Sequence, residues 1–228
     1  MSSLVIPSPA NAASLPGELV RAAAPAGVLV VFAHGAGAGQ RSPFMQRYAD
    51  LLAARGLDVL TFDFPYMAAG RKLPDRAPTL EAAFHDAVAA GVAALDGAAR
   101  AVVVAGKSMG GRMATHLAAQ PEAWRGATPL AAAVAFGYPL RPPGPRGGDR
   151  VSHLSRLSVP TLIVQGTRDT FGGPDEVTTA TTSALYTAAQ QTTDWGAPLG
   201  SGQSLAIRIY QLSALIGRGA GRSITLSF

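Results

Sequence analysis

Ala101-Val-Val-Val-Ala-Gly-Lys-Ser-Met-Gly-Gly-Arg112 decides the fold: a β-branched run breaks into the Gly-x-Ser-x-Gly turn Gly106 to Gly110, and a helical pattern follows from Met109 to Gln120. Gly106 and Gly110 have no Cβ, so a strand can reverse sharply into a helix while Ser108 sits, strained, at the tip. This is the pattern of a nucleophile elbow. A Gly-flanked serine at an ordinary strand-to-helix turn would give the same five residues. The strand before it and the helix after it supply the context that serine chemistry needs.

Outward from the elbow, short apolar runs alternate with helical patterns. Val28 to Phe32 reads as a strand ending in His34-Gly-Ala-Gly-Ala-Gly39, and Met45 to Arg55 has apolar residues at helical spacing. Leu57 to Phe62 is a second strand running into Asp63-Phe-Pro-Tyr66, where Pro65 is expected to stop a helix from starting at once. A loop is expected through Pro78, with Thr79 capping a long helix that Gly97 ends. Leu130 to Phe136 and Val159 to Val164 read as further buried strands, separated by a Pro/Gly/Arg-rich loop to Arg150. The expected fold is therefore α/β: a mostly parallel central sheet with helices on both faces and ligands at the carboxyl ends of the strands.

Length and composition bound the function. The 228 residues are expected to make one α/β domain, or a core with one insertion, long enough to bury a substantial core. No cysteine occurs, which excludes disulfides, thiolate metal sites and a cysteine nucleophile. The sequence has neither a membrane-length apolar run nor a signal-peptide pattern in its first thirty residues, so the expected location is cytoplasmic. The net charge of +5 comes from 17 scattered arginines and two lysines without a basic helix face, which argues against a nucleic-acid partner. The histidines and carboxylates show no metal-ligand spacing, and the glycine-rich turn after His34 lacks a nucleotide-binding pattern. No cofactor is expected, and the expected partner is a small-molecule substrate.

Cleavage by serine needs a base for the hydroxyl proton, an acid to orient that base, and donors for the oxyanion. Ser108 is the candidate nucleophile. The N–H of Met109 is one candidate oxyanion donor, and that of Ala36, in the turn after His34, is the second. Asp169, beyond the strand that ends at Val164, is the candidate acid, in the Ser-then-acid order of α/β-hydrolases. His34 is read as ordering its own turn. Lys107 either supports anionic intermediates with its cation or pairs with a carboxylate, and Asp63 either pairs with Lys107, Arg71 or Arg112 or caps its turn. Arg141, Arg146 and Arg150 lie in the loop expected over the site, where they either favour carboxylate-bearing substrates or belong to a solvated loop, the second reading being preferred.

His34-Gly-Ala-Gly-Ala-Gly39, Asp63-Phe-Pro-Tyr66, Gly106-Lys-Ser-Met-Gly-Gly-Arg112, Gly137-Tyr-Pro-Leu140 and Val164-Gln-Gly-Thr-Arg-Asp169 together resemble the dienelactone-hydrolase-like bacterial α/β-hydrolases. These are relatives of the hydrolase-like domain of testis-expressed and NSL-complex chromatin proteins. The resemblance covers about residues 25–177 and implies that Ser108 is the nucleophile and Asp169 the triad acid of an ester-cleaving enzyme. It also implies a catalytic histidine a few tens of residues after the aspartate, and this chain has no histidine after His153. His116 follows Ser108 by eight residues, about two helical turns or ~12 Å, too far to take its proton.

The character of the chain changes after Val177. Only Asp194, Arg208, Arg218 and Arg222 are charged in residues 178–228, against 29 charged residues before them, and Thr and Ser are dense at 178–193. Residues 1–177 are accordingly read as the hydrolase core and 178–228 as an atypical segment, frameshifted or poorly ordered. A catalytically inactive hydrolase fold serving as an interaction module is the alternative reading.

Overall fold

The computed structural model describes residues 1–141, 150–166 and 169–172, together with the strand backbone of 185–187, 204–209, 212–213, 217–218 and 222–227. Its frame is an eight-stranded sheet in the order β1-β2-β4-β3-β5-β6-β7-β8. These strands are β1 (Ser2–Ser8), β2 (Ala13–Val20), β3 (Val28–Ala33), β4 (Asp58–Phe62), β5 (Ala101–Lys107), β6 (Leu130–Phe136), β7 (Thr161–Gln165) and β8 (Leu185–Thr187). Every pair from β4 across to β8 is parallel, and the β1–β2 hairpin joins β4 antiparallel. Beyond the sheet, β9 (Ser204–Ile209) pairs antiparallel with β12 (Arg222–Ser227), and the two-residue β10 (Leu212–Ser213) with β11 (Gly217–Arg218). The remainder of the segment read as atypical, 178–228, lies outside the described residues.

Strand alternation divides the core into two layers. Leu29, Val31 and Ala33 of β3, with Leu60 and Phe62 of β4 and Val102 and Val104 of β5, face α3 (Ala77–Ala94) and α4 (Met109–Ala118). Val30, Phe32, Val59 and Ala105 face the other way, against Met45, Ala49 and Ala53 of α1 (Pro43–Ala53). Phe32, Phe62 and Phe84 are fully buried, each contributing about 1.5–3 kcal/mol of transfer free energy. Because both faces are covered, the central strands read as continuous apolar runs.

Two local expectations fail for physical reasons. Pro65 does not delay a helix but opens one, α2 (Pro65–Ala68); at the first helical position its missing N–H costs nothing and its fixed φ is already helical. Thr79 does not cap α3, which begins two residues earlier behind Arg76 with Pro78 in its first turn. The β1–β2 hairpin carried no expectation at all. Pro7, Pro9 and Pro16 break its strand pattern, yet the buried hydroxyl of Ser8 anchors it to α3 by donating to Asp86 Oδ2 at 2.6 Å.

The elbow is set by backbone touching backbone. A Cβ on Gly106 would stand 2.1 Å from the carbonyl carbon of Gly110 and 2.4 Å from the nitrogen of Gly111. Neither neighbour is a flexible side-chain end, so Gly106→Ala is expected to destabilise by about 3 kcal/mol, the top of the usual overpacking range. Urea denaturation of the variant beside the parent chain measures it, and a loss under 1 kcal/mol contradicts the packing described.

Candidate active site

Ser108 stands between β5 and α4 with φ +50° and ψ −113°, a backbone state rare outside glycine. It is half-buried. Its N–H donates to the carbonyl of Phe136 at the end of β6, at 2.8 Å, and its own carbonyl accepts from the Arg112 N–H at 3.0 Å. Strain in the serine is thus balanced by one bond into the sheet and one into the helix. Met109 follows as the first residue of α4, where an N–H has no acceptor within the helix.

The turn after β3 lies against the elbow. A Cβ on Gly35 would be 3.6 Å from Ser108 Cβ and 3.4 Å from the Lys107 carbonyl oxygen, and one on Gly110 would be 2.4 Å from the Ala33 carbonyl oxygen. Ala36 is exposed beside this contact. Tyr66 holds the loop from beneath by donating its hydroxyl to the Ala36 carbonyl at 3.0 Å. Burial, with the charges of Asp63 and Asp75, pushes that hydroxyl up to about 12, so it remains a donor across the working pH range.

His34 is fully buried, and its ring is spoken for at both nitrogens. Nδ1 lies 2.7 Å from the Gly35 carbonyl, and Nε2 accepts the Phe64 N–H at 3.1 Å. That pair of partners sets the neutral tautomer with the proton on Nδ1. Burial lowers the pKa, against the opposing pull of the Gly35 bond and of Asp63. With its basic nitrogen already used, His34 orders the turn.

Asp63 pairs with none of the three cations considered for it. Its Oδ1 accepts the Gln40 N–H at 2.7 Å and lies 3.6 Å from His34 Nε2. Arg71 pairs with Asp75 at 2.8 Å, Arg112 Nε reaches His116 at 3.3 Å, and Lys107 Nζ lies over the Phe44 ring, 4.6 Å from its centroid. In the loop that was expected over the site, Arg150 reaches the Pro139 carbonyl at 3.3 Å and the backbone N–H of Arg141 donates to Phe171 at 2.7 Å. Arg146 lies outside the described residues.

Asp169 lies beyond the carboxyl end of β7, at the same end of the sheet as Ser108. A Cβ on Gly137, the residue after β6 at φ +65°, would be 3.2 Å from Asp169 Oδ2. Oδ1 accepts the Phe171 N–H at 2.9 Å and Oδ2 accepts from Gln165 Nε2 at 3.1 Å. Gln165 is fully buried and also donates to the Gly172 carbonyl at 2.7 Å, while its Oε1 accepts the Tyr138 N–H at 2.6 Å. One amide therefore ties the turn after β6 to the acid loop.

Tyr66 and Gln165 lie within the motifs Asp63-Phe-Pro-Tyr66 and Val164-Gln-Gly-Thr-Arg-Asp169, and the sequence alone assigns neither a role. A signal existed for Gln165, because an uncharged polar side chain closing an apolar strand must find partners once buried.

The other histidines are engaged elsewhere. His116 Nδ1 meets Glu81 Oε1 at 2.6 Å, and this bond holds the Glu81 carboxyl below its usual range. His153 Nε2 lies 2.9 Å from Thr115 Oγ1, and the His85 ring packs near Trp124. Among the described residues no group of three or more His, Cys, Asp or Glu is arranged to hold a metal ion. No described helix is long and apolar enough to cross a membrane.

Comparison with known proteins agrees with this architecture. The sequence profile of a family described as "Alpha/beta hydrolase domain" matches residues 26–197, past the change of composition at Val177. No curated protein matches the chain. Among solved structures, an esterase from Pyrococcus furiosus superimposes with TM-score 0.66 at 16% identity, covering 86% of this chain and 85% of that one. An alpha-beta serine hydrolase homologue from Coxiella burnetii gives TM-score 0.62 at 16% identity, covering 82% of this chain and 87% of that one. A dienelactone hydrolase from Anabaena variabilis gives TM-score 0.61 at 22% identity, covering 82% and 83%. At these identities the likeness is one of fold.

Burial depresses both His34 and His85 below the ordinary value of 6.5. As pH falls through 6.5 the unfolded chain binds protons there first, so stability present above that pH is lost on acidification. The melting temperature is expected to drop between pH 7 and pH 5, and to drop less in His34→Gln. Equal slopes in the two proteins would contradict a buried, neutral His34.

Proposed function

Because this chain belongs to the alpha/beta hydrolase domain family, we propose that it is a serine hydrolase that opens an ester-like bond of a small-molecule substrate through an acyl-serine intermediate on Ser108. The observation that carries this reading is the positive-φ serine at the crest of the central strand, with Gly35 of the neighbouring turn beside its Cβ. Strain of that kind persists only where the surroundings over-determine it.

In the proposed reaction Ser108 Oγ attacks the ester carbonyl carbon, and the N–H groups of Ala36 and Met109 hold the oxyanion. Each preorganised donor lowers the barrier by ~3 kcal/mol. Collapse breaks the bond to the alkoxy group, which leaves as an alcohol carrying the proton that Ser108 lost. Water then attacks the acyl carbonyl and releases the acid. Asp169 is assigned the acid position and His34 the ordering of the oxyanion turn. Residues 1–177 would form the reacting unit.

The chain has four histidines, at 34, 85, 116 and 153, and none after the candidate acid Asp169; His34 accepts from Phe64, His116 meets Glu81, and His153 meets Thr115 and Tyr138. With no histidine at the family's expected place after Asp169, we take the Ser108 proton to pass to solvent. Loss of a triad base costs ~10⁴–10⁶ in turnover, while binding and the oxyanion hole retain ~10³ over water. Slow acylation with still slower release is the expected behaviour.

A fluorophosphonate probe reads this directly, because it needs a nucleophilic serine and no turnover. Prolonged incubation is expected to add one phosphonyl group, mapped to Ser108 by peptide mass and absent in Ser108→Ala. An unmodified Ser108, or equal labelling of the alanine variant, overturns the proposal.

A further inference from the structure

We propose that the site prefers esters bearing an anionic group, and that Lys107 selects them; this deepens the hydrolase reading and rests on it. Lys107 ends β5 immediately before Ser108 and is exposed. Among the described residues no carboxylate lies within ion-pair distance of it, and its ammonium rests on the face of Phe44, 4.6 Å from the centroid. An aromatic face steadies a cation without cancelling its charge. That leaves a full positive charge free to meet a ligand.

Its direction is fixed by the same ruler that locates the serine. A Cβ on Gly35 would be 4.0 Å from Lys107 Cγ and 3.6 Å from Ser108 Cβ, so the lysine stem and the serine flank one loop, the loop that carries Ala36. The stem then reaches half-buried aromatic rings: Phe44 lies 4.5 Å from Tyr48, and Tyr48 lies 5.0 Å from Phe136, between centroids. Phe136 is also the strand partner of Lys107 and the acceptor of the Ser108 N–H. Beside the serine there is thus an apolar shelf with the Lys107 ammonium resting on it, and the charge of Arg47 reaches Tyr48. Arg71 is paired with Asp75, and Arg112 is directed to His116 on the same helix.

The ligand chemistry this fits is an ester with an apolar body and a carboxylate. Two arms decide which side carries the charge. On the acyl side, 4-nitrophenyl hemisuccinate is compared with 4-nitrophenyl butyrate; on the leaving-group side, 4-acetoxybenzoate with phenyl acetate. The quantity read is the anionic-to-neutral ratio of Ser108 acylation rates, by intact mass, in the parent chain, Lys107→Met and Lys107→Arg. In one arm the ratio is expected to fall about two- to fivefold in Lys107→Met, as for a solvent-exposed charge pair. Lys107→Arg retains most of it, and raising salt from 50 to 500 mM erodes it in the parent.

Ratios unchanged by Lys107→Met in both arms overturn the proposal while leaving the hydrolase reading intact. Should none of the esters acylate Ser108, the hydrolase reading fails and selection is read by binding alone. Saturation-transfer NMR with N-phenylsuccinamate, an amide that the site does not consume, is then expected to give a signal that weakens in Lys107→Met. No signal with the parent chain, or an equal one with the variant, overturns it.

Discussion

Everything at this site depends on three stretches of backbone meeting with no side chain between them. A Cβ on Gly106 would overlap the Gly110 peptide, and one on Gly110 would overlap the carbonyls of Ala33 and His34. The central strand, the elbow helix and the turn after β3 are therefore locked at van der Waals distance by three backbones. Only at that approach does the chain reverse over a single residue, and that residue is Ser108, held at φ +50°. The same lock brings the Ala36 loop alongside the start of α4. A candidate nucleophile and two candidate oxyanion donors thus share one cause.

Around this lock the supports are mostly neutral hydrogen bonds. Tyr66 and His34 hold the turn after β3 through its carbonyls, and Gln165 holds the loop of Asp169 and Gly172. A buried amide or phenol loses little on leaving water when its donors and acceptors are matched, whereas a buried charge loses much. The Tyr66 phenol and the Gln165 amide carry no charge across the working pH range, so their bonds keep their geometry there, which is what a site needs whose donors must stand ready before charge develops. The exposed Lys107 ammonium rests over the Phe44 ring.

Most of the sheet was legible in the chain because both its faces are covered. Val28 to Phe32, Ala101 to Ala105 and Leu130 to Phe136 are uninterrupted apolar runs, and the glycines around Ser108 mark where the direction reverses. The β1–β2 hairpin was not legible. Its prolines break the pattern, and its anchor at Asp86 lies 78 residues from Ser8. Tyr66, the Gln40 partner of Asp63 and the Tyr138 partner of Gln165 were hidden for the same reason: these bonds close over 23 to 30 residues, a span that no local spacing rule reaches. Pro65 and Thr79 misled in a different way, since the same residue type either starts or stops a helix according to which turn it occupies.

The account stands on Ser108 being presented to a tetrahedral oxyanion by the Ala36 and Met109 N–H groups. A crystal structure of the chain phosphonylated at that serine tests this most directly. It is expected to show one phosphonyl oxygen within about 2.7–3.1 Å of both nitrogens. An adduct whose oxygens all point to solvent, with either nitrogen out of reach, would contradict it.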